Sequence, residues 1–307
     1  MNIFNIVFFK IISVLLSVVV GFFAGRIAKV ERDSIASLLF YFISPIVFFS
    51  IPASTNVTVS DIGITIVTFI ISSGLCAFAY YFFSRYWRDD TVNILSMSAG
   101  TANCGYFMLP IATTLFDDNI LNIYMMAIIG VNIYESSIGY FICAKSVHTS
   151  MDSLQRMIKL PTLNAFLLGC LFSFAGLNLP DFLDDFIHNM RGAYSILGMI
   201  MVGLGLSGLT KLNIDFKFTL ASFASKYLFF PLAIGAFIFL DKFIFGWYDE
   251  NYYDALLLMS LSPMAANTIV LASIWKFDQE KVATTVLLSS IFALLYIPIM
   301  ASLLIRN

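Results

Sequence analysis

Between Ile3 and Phe23 the chain reads IFNIVFFKIISVLLSVVVGFF, with Lys10 as its only charge, and runs of this kind recur to the end of the sequence. A helix needs about 20 mainly apolar residues to cross roughly 30 Å of hydrocarbon, and this recurring length limits the fold more than any other feature. Clusters of charge divide the 307 residues into ten candidate spans. They are Phe4–Ala28, Ile35–Ala53, Ile62–Phe83, Val92–Leu115, Leu121–Ala144, Leu160–Gly176, Ala193–Leu209, Phe218–Leu240, Ala255–Trp275 and Val282–Ile305. A soluble surface is out of reach, because only 12% of residues are charged against 60% hydrophobic, and the mean hydropathy is +0.89. The chain is expected to be an all-α polytopic membrane protein, multi-pass in the lipid bilayer of the cell (inner) membrane.

The first run has the hydropathy of a signal peptide, but it lacks a small-residue cleavage site and carries Lys10 inside, so it is read as the first span. Orientation follows from the cations. Arg26, Lys29, Arg32, Arg85, Arg88, Lys145, Arg156, Lys159, Lys211, Lys217, Lys276 and Lys281, twelve of the 17 Lys and Arg, fall on one side. Lys10, Arg191, Lys242 and Arg306 fall on the other, together with both termini, which are therefore expected outside, on the periplasmic face. Ten spans divide into five and five, and an odd number per half turns the second half over in the membrane. This predicts an inverted repeat, with 1–145 as the first five-helix unit, 146–157 as a cytoplasmic connecting loop and 158–307 as the second unit.

Two spans cannot run as plain helices. In AGTANCGYFMLP (Ala99–Pro110), Gly100, Gly105 and Pro110 weaken helical hydrogen bonding while Thr101, Asn103 and Tyr106 bring polar groups to a depth where hydrocarbon cannot satisfy them. A second break, SPMAAN (Ser262–Asn267), lies roughly 160 residues further on, about the distance a duplication requires. Broken helices at corresponding places in two halves point to a substrate site, because half-helix ends and freed carbonyls can hold an anion or a cation. Asn103 and Asn267 add side-chain donors and acceptors to it.

Glu135, in VNIYESSIGY, is the only acid well inside a predicted span, and Lys226 lies inside the eighth. Ionisable groups at that depth are costly, so Glu135 is read as a protonation or ion-coupling group with Lys226 as a candidate partner; a buried structural pair and a lysine reaching outward are the plainer readings. Gly198, Gly203, Gly205 and Gly208 in the seventh span read as sites of close helix packing. The four cysteines, Cys76, Cys104, Cys143 and Cys170, show no CxxC spacing and read as small apolar fillers. His148 and His188 have no second ligand at metal spacing, and no HExxH, GxSxG, nucleotide-binding loop or basic run is present. No metal, cofactor, nucleic acid or catalytic function is expected.

Three segments, ANCGYFMLPIATTLF, IMVGLGLSGL and SPMAANTIVLASIWKFDQEKVATTVLLSS, resemble the auxin efflux carrier family, whose bacterial members transport small organic acids and whose plant branch is the PIN carriers. The resemblance implies two five-helix inverted repeats with broken, crossing fourth and ninth helices, a bile-acid-symporter-like layout. Carried over to this chain, it implies that Asn103, Gly105 and Pro110 form the first crossover and that Pro263 and Asn267 lie in the second, with Tyr106 and Thr268 as neighbours. The third span lacks the membrane-embedded aspartate of the plant carriers, which leaves Glu135 as the coupling candidate.

The function expected is secondary active transport of a small organic anion, a mono- or dicarboxylate or auxin-like acid, by alternating access, with H+ or Na+ as the candidate coupling ion and a homodimer left open. The alternative is a sodium-coupled symporter of the bile-acid type. A membrane-embedded enzyme using Glu135, or a receptor that only binds its ligand, stands further off, since no second catalytic group accompanies Glu135.

Overall fold

A computed structural model describes residues 3–54, 57–144, 161–208, 213–274 and 277–305. The expected connecting loop, and Lys145, His148, Arg156, Lys159, Lys211, Trp275, Lys276 and Arg306, lie outside the described residues. Seven helices are long and apolar enough to cross a membrane: α1 (Ile3–Ile27), α2 (Arg32–Ala53), α3 (Val59–Phe83), α6 (Asp118–Cys143), α8 (Asp181–Ser207), α9 (Phe216–Phe245) and α12 (Gln279–Leu304). Three of the ten expected spans therefore differ from their description. Leu160–Gly176 is a 14-residue helix, α7 (Pro161–Phe174). Val92–Leu115 splits into α4 (Thr91–Gly100) and α5 (Leu109–Leu115), and Ala255–Trp275 splits into α10 (Glu250–Ser260) and α11 (Asn267–Ile274). Among the described residues there is no strand.

Helix starts are set by acids. Asp117 accepts from the Ile120 N–H, Asp215 from Phe218, Asp249 from Asn251 and Tyr252, and Asp278 from Lys281, while Thr58 and Asp61 form a reciprocal capping box at α3. Each such cap is worth about 1 kcal/mol. The charge that hydropathy reads as loop is thus the first turn of a helix. α8 opens at Asp181, twelve residues before the expected Ala193, without a side-chain cap but with Asp184 and Asp185 near its start, where the helix dipole favours them.

Packing follows small residues. α1 lies along α8, and α2 along α7. A Cβ added to Gly203 would stand 2.0 Å from the Val18 carbonyl oxygen, and one on Gly21 would stand 2.1 Å from that of Ile200, so the first pair meets backbone to backbone. Gly169 on α7 does the same against the Phe49 carbonyl of α2. Gly205 and Gly208, read as close-packing positions from sequence, have nothing within 3.8 Å of an added Cβ. Around this core, Phe9, Leu16, Ile70, Leu171, Phe243 and Leu303 stand exposed, which only a lipid surround makes stable. The chain is an all-helical, multi-pass membrane protein.

Among the described residues, four π-helical turns interrupt the long helices, at Leu39–Ile43, Glu135–Gly139, Ser225–Phe229 and Asp241–Phe245. The first lets α2 continue past Pro45 as one helix. The second and third carry Glu135 and Lys226.

Candidate functional site

The two non-helical stretches, residues 101–108 and 261–266, meet. The Asn103 N–H donates to the Pro263 carbonyl at 2.9 Å. Asn103 also folds its own break, its Oδ1 accepting from the Phe107 N–H at 3.2 Å and its carbonyl from Met108 at 3.2 Å. Neighbouring helices satisfy part of what the breaks release. Tyr124 of α6 donates its hydroxyl to the Cys104 carbonyl at 2.8 Å, and Ser289 of α12 accepts from the Met264 N–H at 3.0 Å. Three buried polar atoms there have no protein partner: Asn103 Nδ2, Ser262 Oγ and Thr268 Oγ1. Non-helical backbone at membrane depth is stable only where it is buried in protein or lines a cavity.

Thr101, which follows the last residue of α4, uses both of its polar groups. Its hydroxyl donates to Glu135 Oε2 at 2.7 Å, and its carbonyl accepts from Lys226 Nζ. The ammonium also sits 4.0 Å over the Phe230 ring. At 1% exposure Lys226 does not reach outward to solvent; its amino group lies at the C-terminal end of α4. The pair expected between Glu135 and Lys226 is not a direct one: Thr101 stands between them. Asn267 lines the same cavity as Glu135.

Two cavities flank this crossing. One of about 130 Å³ is lined by Tyr106, Asn132, Glu135, Ser136, Tyr194 and Asn267, with Ser44 and Phe48 of α2 and Thr162 in the first turn of α7. A cleft of about 20 Å³ between the breaks, lined by Asn103, Gly105 and Ala266 among others, shares five of those residues. The second cavity, about 380 Å³, is lined by Lys10, Ser13, Ser17, Pro110, Thr113, Arg191 and Ser195 and lies at the end of the bundle where α1 and α8 begin. Tyr106 lines both. Its ring packs on Tyr194 with centroids 4.8 Å apart, and Gly198 seats it: an added Cβ there would stand 2.1 Å from Tyr106 Cδ1. Gly105 likewise leaves room for the Tyr194 hydroxyl, 2.8 Å from the position a Cβ would take.

The structure thus brings Asn103, Gly105, Tyr106, Asn267 and Glu135 to one cavity, with Pro263 supplying a carbonyl and Thr268 a buried hydroxyl beside it. Pro110 stands apart. It occupies the first turn of α5, where its missing N–H is one no helix pairs, and it faces the larger cavity. Lys226 lies behind Thr101 and lines neither cavity. Thr101, Asn132 and Tyr194 complete the site without having been singled out for it; the polar flank of Glu135 was a signal for Asn132, while Tyr194 follows from the fold alone.

The similarities found are to membrane transporters. The family model described as Sodium Bile acid symporter family matches residues 193–307, from within α8 through α12. Over 309 residues the chain is 23% identical to an uncharacterized transporter of Methanocaldococcus jannaschii, an alignment covering 96% of this chain and 98% of that protein. The resemblance to the auxin efflux carrier family is corrected by this match, which falls on the bile-acid symporter family instead. Its motifs were small residues, a proline and an asparagine at a break, which any interrupted membrane helix requires, so they do not separate one family from another.

Proposed function

We propose that the chain is a secondary transporter of the bile-acid symporter type, carrying a small organic anion by alternating access at the crossing. The observation that carries this reading is the contact of the two breaks, Asn103 N–H to the Pro263 carbonyl, between two cavities that share Tyr106. Counted with α7 and the two split helices, the seven long helices amount to ten passes, arranged as repeats 1–145 and 158–307 joined by 146–157. Exchange of packing partners supports the inversion: α1 of the first unit lies on α8 of the second, and α7 of the second lies on α2 of the first. Both termini face the periplasm of the cell inner membrane in this arrangement.

Asn103, Gly105, Tyr106, Asn267 and Thr268 bind the solute, Pro263 holds the second break against the first, and Pro110 starts the half-helix that follows. Sodium is the coupling ion, in line with the family whose model matches the second half. A proton is the second reading, favoured by Glu135 beside the Thr101 hydroxyl, with Lys226 balancing the half-helix end. Uptake of labelled benzoate and succinate into proteoliposomes tests both readings. Saturable uptake driven by an inward sodium gradient and reduced at least tenfold in Asn103→Ala is expected; uptake that needs only a pH gradient and fails in Glu135→Gln selects the proton. Unchanged saturable flux in Asn103→Ala sinks the crossing as the site.

A further inference from the structure

Two cations line the larger cavity, away from the crossing. Lys10 lies about 10 Å along α1 and Arg191 about 15 Å along α8, and the two helices run side by side from the same end. Ionisable side chains within membrane-spanning helices are retained for a reason more often than not. Around them the cavity presents the hydroxyls of Ser13, Ser17, Thr113 and Ser195. Arg191 Nε is sealed from solvent and has no hydrogen-bond partner. A guanidinium N–H in that state is both costly and rare. Asp118 also lines the cavity and is near enough to interact electrostatically with Arg191, yet it leaves Nε unsatisfied. One acid against Lys10 and Arg191 leaves the cavity positive, and His188 on its wall adds charge when protonated. Its volume, about 380 Å³, is within the range of about 300–1,000 Å³ that small-molecule pockets occupy.

We propose that this cavity is an oxyanion-binding site separate from the crossing. It holds one carboxylate or phosphate group between Lys10 and Arg191, with the surrounding hydroxyls completing the hydrogen bonds. A guanidinium suits this task because its fork of N–H groups matches the geometry of a carboxylate or phosphate. Tyr106 forms part of the wall, so an anion held here stands next to the crossing residues. Its role as a first stop for the solute rests on the transport reading; the binding itself does not.

The test is made on full-length protein in phosphatidylcholine nanodiscs, titrated with benzoate at constant ionic strength while the thermal midpoint is followed. A saturable rise is expected, with an apparent affinity about tenfold or more weaker in Lys10→Gln and in Arg191→Gln, and less weakened in Arg191→Lys. Gly235→Ala on α9, outside both cavities, is expected to keep the response. Parent-like benzoate titrations in both Gln variants overturn the site. Nanodiscs containing phosphatidylglycerol separate the two sources of oxyanion. A lipid phosphate in the cavity gives lipid retained in native mass spectra of the parent, lost in Arg191→Gln, and a suppressed benzoate response; a free carboxylate site responds to benzoate equally in both lipids. Absence of both retained lipid and a benzoate response overturns the proposal. Absent flux in proteoliposomes with the benzoate response intact counts against the transport reading alone.

Discussion

Thr101 is the residue on which the charges of the site depend, since one side chain and one carbonyl connect a buried acid on α6 to a buried cation on α9. Thr101→Val keeps the shape but leaves the Glu135 carboxylate without its hydroxyl donor, which costs about 1–3 kcal/mol. The expected result is a lowered thermal midpoint in nanodiscs, with Thr101→Ser close to the parent; equal midpoints for Val and Ser contradict the bond. Gly198 is the second residue whose chemistry is set by a contact. In Gly198→Ala the methyl group meets the Tyr106 ring, which must leave its seat against Tyr194 at a cost of about 1–3 kcal/mol of overpacking. Thermal unfolding measures this too, and a parent-like midpoint would show that the ring has room to spare. Glu135 and Lys226 were legible in the sequence because their depth is expensive. Their connection was not, because Lys226 and Thr101 are 125 positions apart and only the fold brings them together.

At the scale of elements, the helices divide into those that length alone reveals and those that depend on local chemistry. α1, α2, α3 and α12 were legible as apolar runs. The first three turns of α8 were not, since Asp181, Asp184 and Asp185 make a helix start look like a loop. The breaks were legible from Gly, Pro and Asn, but the π-helical turns that aim Glu135 and Lys226 have no composition of their own. Close packing gives a test at this scale. Gly203→Ala drives a methyl group into the backbone of α1, and backbone cannot step aside as a flexible side chain does, so α1 and α8 must separate. Gly235→Ala on α9 meets nothing within 4 Å and removes a residue that weakens helices. A fall in thermal midpoint for Gly203→Ala and none for Gly235→Ala is expected; matching midpoints contradict the backbone contact.

For the whole molecule, the arrangement that matters is two cavities at opposite ends of the bundle with Tyr106 and Tyr194 between them. The smaller carries an acid and amides, and the larger carries cations and hydroxyls. Lys10 and Arg191 line the larger cavity and Glu135 the smaller, with Tyr106 in the wall of both. An all-helical, multi-pass membrane protein was legible at this scale from hydropathy, and the match to the bile-acid symporter family model over residues 193–307 was not, because the demands of a broken membrane helix are shared more widely than one family. The most direct measurement is labelling from each face of sealed, oriented proteoliposomes with a membrane-impermeant maleimide. The four native cysteines are free thiols and buried, so background labelling is low. Thr113→Cys, in the larger cavity, and Ser136→Cys, in the smaller, are expected to react from opposite faces. Labelling of both from the same face contradicts a transport path divided at the crossing.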